Sequence, residues 1–149
     1  MKLRSINVDG FGSLSEFVVT ALPDGLTVFY GPNEAGKSTL MRFLQQLLFG
    51  RWAGRDKRLG DPPIRGGAYG GSMQFEAADG LWTLSRYETK SAVNSTLIAP
   101  DERRLSGEEG EKQLAQLRGH ADAALFRSVF SFDLDDLTPL ALLDSDELR

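Results

Sequence analysis

The chain of 149 residues contains no cysteine and a single histidine, His120. Disulfides and thiolate metal sites are therefore excluded, and one imidazole cannot build a zinc centre. No apolar run approaches the roughly 20 residues of a membrane span. The opening Met-Lys-Leu-Arg-Ser-Ile-Asn lacks the apolar core of a secretion signal, so the sequence reads as cytoplasmic, with no membrane partner. Tryptophan is scarce: Trp52 and Trp82 read as packing residues. What remains is ordinary for a globular domain, and 149 residues suffice for one core.

Charge is unevenly spread. Arg51, Arg55, Lys57, Arg58 and Arg65 face only Asp56 and Asp61 in one Gly/Pro-rich stretch. Such a basic loop could steer nucleotide or nucleic acid, although a solvated loop is the plainer reading. From Asp133 onward the balance reverses, with Asp133, Asp135, Asp136, Asp144, Asp146 and Glu147 against Arg149.

Glycine, by contrast, is placed with purpose. Gly31-Pro-Asn-Glu-Ala-Gly-Lys-Ser-Thr39 fits G-x-x-x-x-G-K-[ST], the phosphate-binding loop of nucleoside triphosphatases. Gly31 and Gly36 permit the torsions that turn consecutive N–H groups inward around a phosphate. Lys37 supplies a compact charge for the β- and γ-phosphates, Ser38 a hydroxyl for Mg²⁺, and the following helix its positive end. The candidate nucleotide-binding residues are Gly31, Asn33, Glu34, Ala35, Gly36, Lys37, Ser38 and Thr39, with ATP and Mg²⁺ as cofactors.

The flanks support the motif. Leu26-Thr-Val-Phe-Tyr30 predicts a buried strand running into Gly31. Leu40, Phe43, Leu44, Leu47 and Leu48 predict one face of a helix, which Gly50 stops. Upstream, Lys2 to Val8 and Phe17 to Thr20 predict two strands joined by a short turn and therefore antiparallel. Downstream, Gly71 to Ala77, Leu81 to Glu88 and Ala92 to Ile98 predict a three-stranded meander. Helices are expected from Ser106 to about Arg118 and from Ala121 to Arg127, with weak helical patterning over 138–149.

Two segments imitate catalytic motifs. Leu105-Ser-Gly-Glu-Glu109 resembles the L-S-G-G-Q signature of ATP-binding-cassette proteins, but Glu108 would bring negative charge to a phosphate. Ser106 with Glu109 is more simply a capping box. Val129-Phe-Ser-Phe-Asp133 resembles a Walker B strand whose Asp133 would approach Mg²⁺. The catalytic Glu expected next is Leu134, and Ser131 breaks the apolar run, so a plain strand end is the competing reading.

Together, the two opening strands, the phosphate loop, Leu47-Leu-Phe-Gly50 and Leu125-Phe-Arg-Ser-Val-Phe130 followed by Leu134-Asp-Asp-Leu137 carry a family resemblance. The chain resembles the N-terminal lobe of SMC/SbcC-type ATPase heads, closest to the bacterial YhaN-like AAA-domain group. The resemblance implies an α/β P-loop NTPase fold of the ABC-type head lobe, with a mixed or antiparallel sheet around the phosphate-loop helix. The lobe would occupy 1–137, and 138–149 would begin a helical, coiled-coil extension. It also implies that the signature, the Walker B Asp and the catalytic Glu belong to a separate C-terminal lobe. Partners implied are that lobe, a second head in a homodimer, DNA and an SbcD-like nuclease. An ATPase is implied for the intact protein, with the fragment alone inactive.

There are departures from the family pattern. Relatives often place a basic residue after the Phe of the first turn, where this chain has Gly12. The Q-loop glutamine expected near Phe132 to Leu134 is missing, so Asp133 substitutes or metal coordination is completed differently. Two other functions remain open: a complete small phosphotransferase or GTPase, and a non-hydrolysing DNA-tethering module locked by ATP.

Overall fold

In the computed structural model, residues 1–50, 61–89 and 92–130 are described, with side chains through residue 126. Among the described residues six strands form one sheet: β1 (Lys2–Phe11), β2 (Leu14–Val19), β3 (Gly70–Ala77), β4 (Gly80–Glu88), β5 (Val93–Ile98) and β6 (Arg104–Ser106). Three helices accompany them: α1 (Lys37–Phe49), α2 (Gly107–Leu117) and α3 (Ala123–Phe130). The strand order is β2-β1-β3-β4-β5-β6, and every neighbouring pair is antiparallel.

Alternation along the strands decides which face is covered. Ile6 and Val8 of β1, Met73 and Phe75 of β3, and Trp82 and Leu84 of β4 are all buried. They share one core with Phe43 and Leu47 of α1 and Leu114 of α2. Trp82 is thus a packing residue, and its indole N–H is satisfied by Asp79 Oδ1 at 2.9 Å. The opposite face is polar: Asn7, Ser72, Ser85 and Thr96 stand side by side across four strands. The sheet is therefore the one-sided, half-solvated kind that antiparallel pairing allows.

Glycines let the sheet close up. A Cβ on Gly71 would lie 2.1 Å from the Asn7 carbonyl oxygen and 2.9 Å from Phe43 Cζ. No larger residue could stand between β1, β3 and α1 at that level.

The helix after the phosphate loop forms as its apolar spacing predicts, with Leu40, Phe43, Leu47 and Leu48 buried. Gly50 ends it in the left-handed conformation, φ 67°, its N–H donating to Gln46 O at 2.8 Å. The two opening strands pair antiparallel as expected, and β1 runs on to Phe11, so the turn shrinks to Gly12–Ser13.

Three expectations are corrected. Residues 26–30 form no strand: among the described residues they join no ladder, and Leu26 and Tyr30 are 91% and 92% exposed. Their β-prone side chains are real, but a strand also needs a neighbour for its N–H and C=O groups. Next, α3 continues through Phe130, so Val129 and Phe130 are helical rather than the start of a Walker B strand. The spacing of Leu125, Phe126, Val129 and Phe130 suits a helix face equally well, an ambiguity typical of short apolar runs. Finally, Ser106 does occupy the N-cap of α2, but its side chain makes no capping hydrogen bond. The short β6 pairs with β5 just before it, with Leu105 opposite Leu97, and was not expected.

Candidate phosphate-binding site

The site is assembled from the loop 31–36, the first turn of α1 and the β1–β2 turn. The Ala35 N–H donates to Pro32 O at 3.3 Å, folding Pro32–Ala35 into a tight turn. Gly36, φ 94°, then reverses the backbone into α1 at the position an ordinary N-cap would take. Its left-handed conformation lets the loop wrap, and its missing Cβ lets the neighbouring turn approach. A Cβ there would sit 2.8 Å from Leu14 Cδ2 and 3.4 Å from Ser13 Oγ.

Lys37 lies across the loop it follows. Its ammonium donates to Gly31 O at 2.8 Å and Pro32 O at 2.7 Å, spanning the loop's entry. Ser38 is exposed in the first helical turn, whereas Thr39 is 9% exposed and belongs to the wall beneath. Asn33, Glu34 and Ala35 are exposed along the rim. The first turn of α1 holds no acidic side chain, so the helix N-terminus keeps its positive character.

Gly12 explains one departure from the family pattern. With φ 53°, it sits where a Cβ would fall 2.9 Å from Thr39 Cγ2. The first turn is pressed against α1 so closely that a basic side chain has no room to start. This close approach is held by Asp61, whose carbonyl accepts from the Gly12 N–H at 2.8 Å. The Asp61 carboxylate in turn receives both Nε and Nη2 of Arg42, at 2.7 and 3.2 Å. The same Nη2 lies 3.5 Å from Thr39 Oγ1. In the sequence Asp61 is only a charge within a basic stretch; its backbone role leaves no mark in composition.

The far end of α1 is also anchored by charge. Arg86, 3% exposed on β4, donates Nε to Leu47 O at 2.5 Å and pairs with Glu111 of α2 at 2.8 Å. Arg118 donates to Leu48 O and lies over the Phe49 ring, 4.6 Å from its centroid. Burial pulls the Arg118 pKa down, Glu111 opposes that shift, and Arg86 adds to it. Two guanidinium groups thus cap carbonyls at the negative end of the helix whose positive end carries the loop.

A tyrosine network borders the opposite side of the first turn. Tyr87 donates its hydroxyl to Asp9 Oδ2 at 2.7 Å, and Asn7 holds Oδ1 at 2.9 Å. Burial first, then this hydrogen bond, pushes the Tyr87 pKa up to about 12. Tyr69 is likewise raised to about 12, chiefly by burial and then by Glu88.

Among the described residues no group of three His, Asp or Glu side chains could hold a metal. A magnesium ion here would rest on the Ser38 hydroxyl, the ligand's own phosphates and water, which suits its reluctance to dehydrate. Asp133, the other metal candidate, lies outside the described residues, as do Trp52 and the basic side chains Arg51, Arg55, Lys57 and Arg58. Arg65 is described, and exposed.

Comparison with known proteins supplies a frame for this geometry. A family model described as an AAA domain matches residues 1–139. The chain is also 27% identical over 149 residues to a Bacillus subtilis protein described as "Uncharacterized protein YhaN". That alignment covers 99% of this chain and 14% of the relative, so the chain spans about a seventh of the length of the protein it matches.

Proposed function

The chain belongs to the AAA domain family, and from that premise we propose that it is the ATP–Mg²⁺-binding half of an SMC/SbcC-like ATPase head. Family membership carries the coarser statement, a nucleotide-binding, ATPase-like module. The finer reading rests on one observation above all. The apolar segment leading into the phosphate loop joins no ladder among the described residues and is exposed, with Val28 67% and Phe29 41% accessible. A P-loop whose apolar approach segment is unpaired suits half of a site whose sheet is completed by further strands.

In this reading Lys37, Ser38 and the loop amides hold the β- and γ-phosphates and the metal. Positioning and charge neutralisation are most of what phosphoryl transfer requires of a protein. The group that orients the attacking water comes from a C-terminal lobe or a second head. Closure of two heads around nucleotide would then be coupled to DNA and to a nuclease partner.

Steady-state ATP hydrolysis by the purified chain, beside Lys37→Ala, tests the half-site claim. Turnover at the level of the Lys37→Ala control, alongside retained nucleotide binding by the unsubstituted chain, is the expected result. Lys37-dependent turnover well above that control would make the chain a self-sufficient phosphotransferase or GTPase instead.

A further inference from the structure

The G-x-x-x-x-G-K-S pattern leaves the fourth residue of the loop unspecified, and here that residue is Glu34. The Ala35–Pro32 hydrogen bond makes Glu34 the third residue of a β-turn, and its φ is 67°. At a positive φ in that position glycine or asparagine is the ordinary choice, because a larger side chain crowds the backbone. Glutamate has no conformational advantage there, so its side chain invites a functional explanation.

Its surroundings narrow the explanation. Glu34 is exposed, and among the described residues its carboxylate takes part in no ion pair or hydrogen bond. The nearest cation in the loop, Lys37, directs its ammonium at the Gly31 and Pro32 carbonyls. From Gly31 to Leu40 there is no other acidic residue. A negative charge therefore stands alone on the rim of a loop built to hold a polyanion.

Resting on the nucleotide reading above, we propose that Glu34 sets the affinity of the site, its charge opposing the bound phosphates so that nucleotide is released quickly. A phosphate seated in a loop this short would fall within about one Debye length, roughly 8 Å at physiological salt, of a carboxylate on its rim. The opposition grows with ligand charge, so it acts more on doubly negative Mg-ATP than on singly negative Mg-ADP. For charges at that distance in a water-exposed setting, the effect is about three- to tenfold in affinity.

The test is nucleotide binding by the full chain, measured by calorimetry and by stopped-flow release of a fluorescent ATP analogue, for Glu34→Gln, Glu34→Gly and Lys37→Ala. Glu34→Gln keeps the backbone demand and removes the charge. It should tighten Mg-ATP about three- to tenfold, chiefly by slowing release, and tighten Mg-ADP less. The gain should shrink as salt rises from about 50 mM to about 500 mM. Glu34→Gly, which also relieves the left-handed backbone, should match that affinity and raise the melting temperature. Unchanged or weaker Mg-ATP binding by Glu34→Gln at low salt would overturn the proposal, as would a gain independent of both salt and ligand charge. Absence of Lys37-dependent binding in the unsubstituted chain and in Glu34→Gln alike would instead remove the nucleotide site, and the proposal with it.

Discussion

At the scale of single residues, two arginines show how this fold uses charge in its interior. Arg86 is almost fully buried yet satisfied by the Leu47 carbonyl and Glu111, so its cost of desolvation is offset by placed acceptors. Arg86→Met would strand the carbonyl and leave Glu111 without its partner. Because Glu111 is partly open to water, the expected loss is about 2–3 kcal/mol rather than the full cost of a buried lone charge. Glu111→Gln should cost about 1–2 kcal/mol, since its amide oxygen can still accept from Arg86 but the buried guanidinium loses its counter-charge. Urea denaturation of the two variants separates these values. Tyrosines supply the pH response. The pKa values of Tyr69 and Tyr87 are both raised to about 12 from an ordinary 10, so the folded state favours their neutral form. Their contribution is complete below pH 10 and is lost as pH climbs from 10 towards 12, where the unfolded chain ionises first. Melting temperatures measured across that window should fall, and fall less steeply in Tyr87→Phe.

At the scale of elements, the contact between β1, β3 and α1 depends on a position with no side chain. Gly71→Ala would drive a methyl to 2.1 Å from the Asn7 carbonyl oxygen. The strands must then part, at an expected cost of about 3 kcal/mol or more, seen as a lowered urea midpoint. The sequence shows which elements of this kind can be foreseen. α1 was legible because a 3.6-residue apolar period and a terminal glycine act locally. The meander β3–β5 was legible because Asp79-Gly80 and the alternating pattern of β3 and β4 do the same. Leu26–Tyr30 was misjudged because strand formation depends on neighbours that local composition cannot report. The start of the Walker B-like segment was misjudged because four apolar residues in a short run satisfy a helix and a strand alike. At the site itself, the loop residues were legible from spacing alone. Asp61, Arg42 and the seat for Gly12 were not, since they meet through a backbone carbonyl and a missing Cβ.

At the scale of the whole molecule, a sheet covered on one face by helices presents the phosphate loop at the start of α1, next to an exposed apolar segment. If that segment is reserved for strands supplied from elsewhere, it should contribute little to the stability of this chain. Leu26→Lys combined with Tyr30→Lys should leave the urea-derived stability within about 0.5 kcal/mol and improve solubility. A loss of about 2 kcal/mol or more would mean that the segment already belongs to this fold. The central claim, however, concerns the loop, and a calorimetric titration of Mg-ATP into the chain and into Lys37→Ala tests it most directly. The account predicts saturable binding by the first and none by the second, with both proteins melting at the same temperature without nucleotide. Equal binding by the two, or none by either, would contradict it.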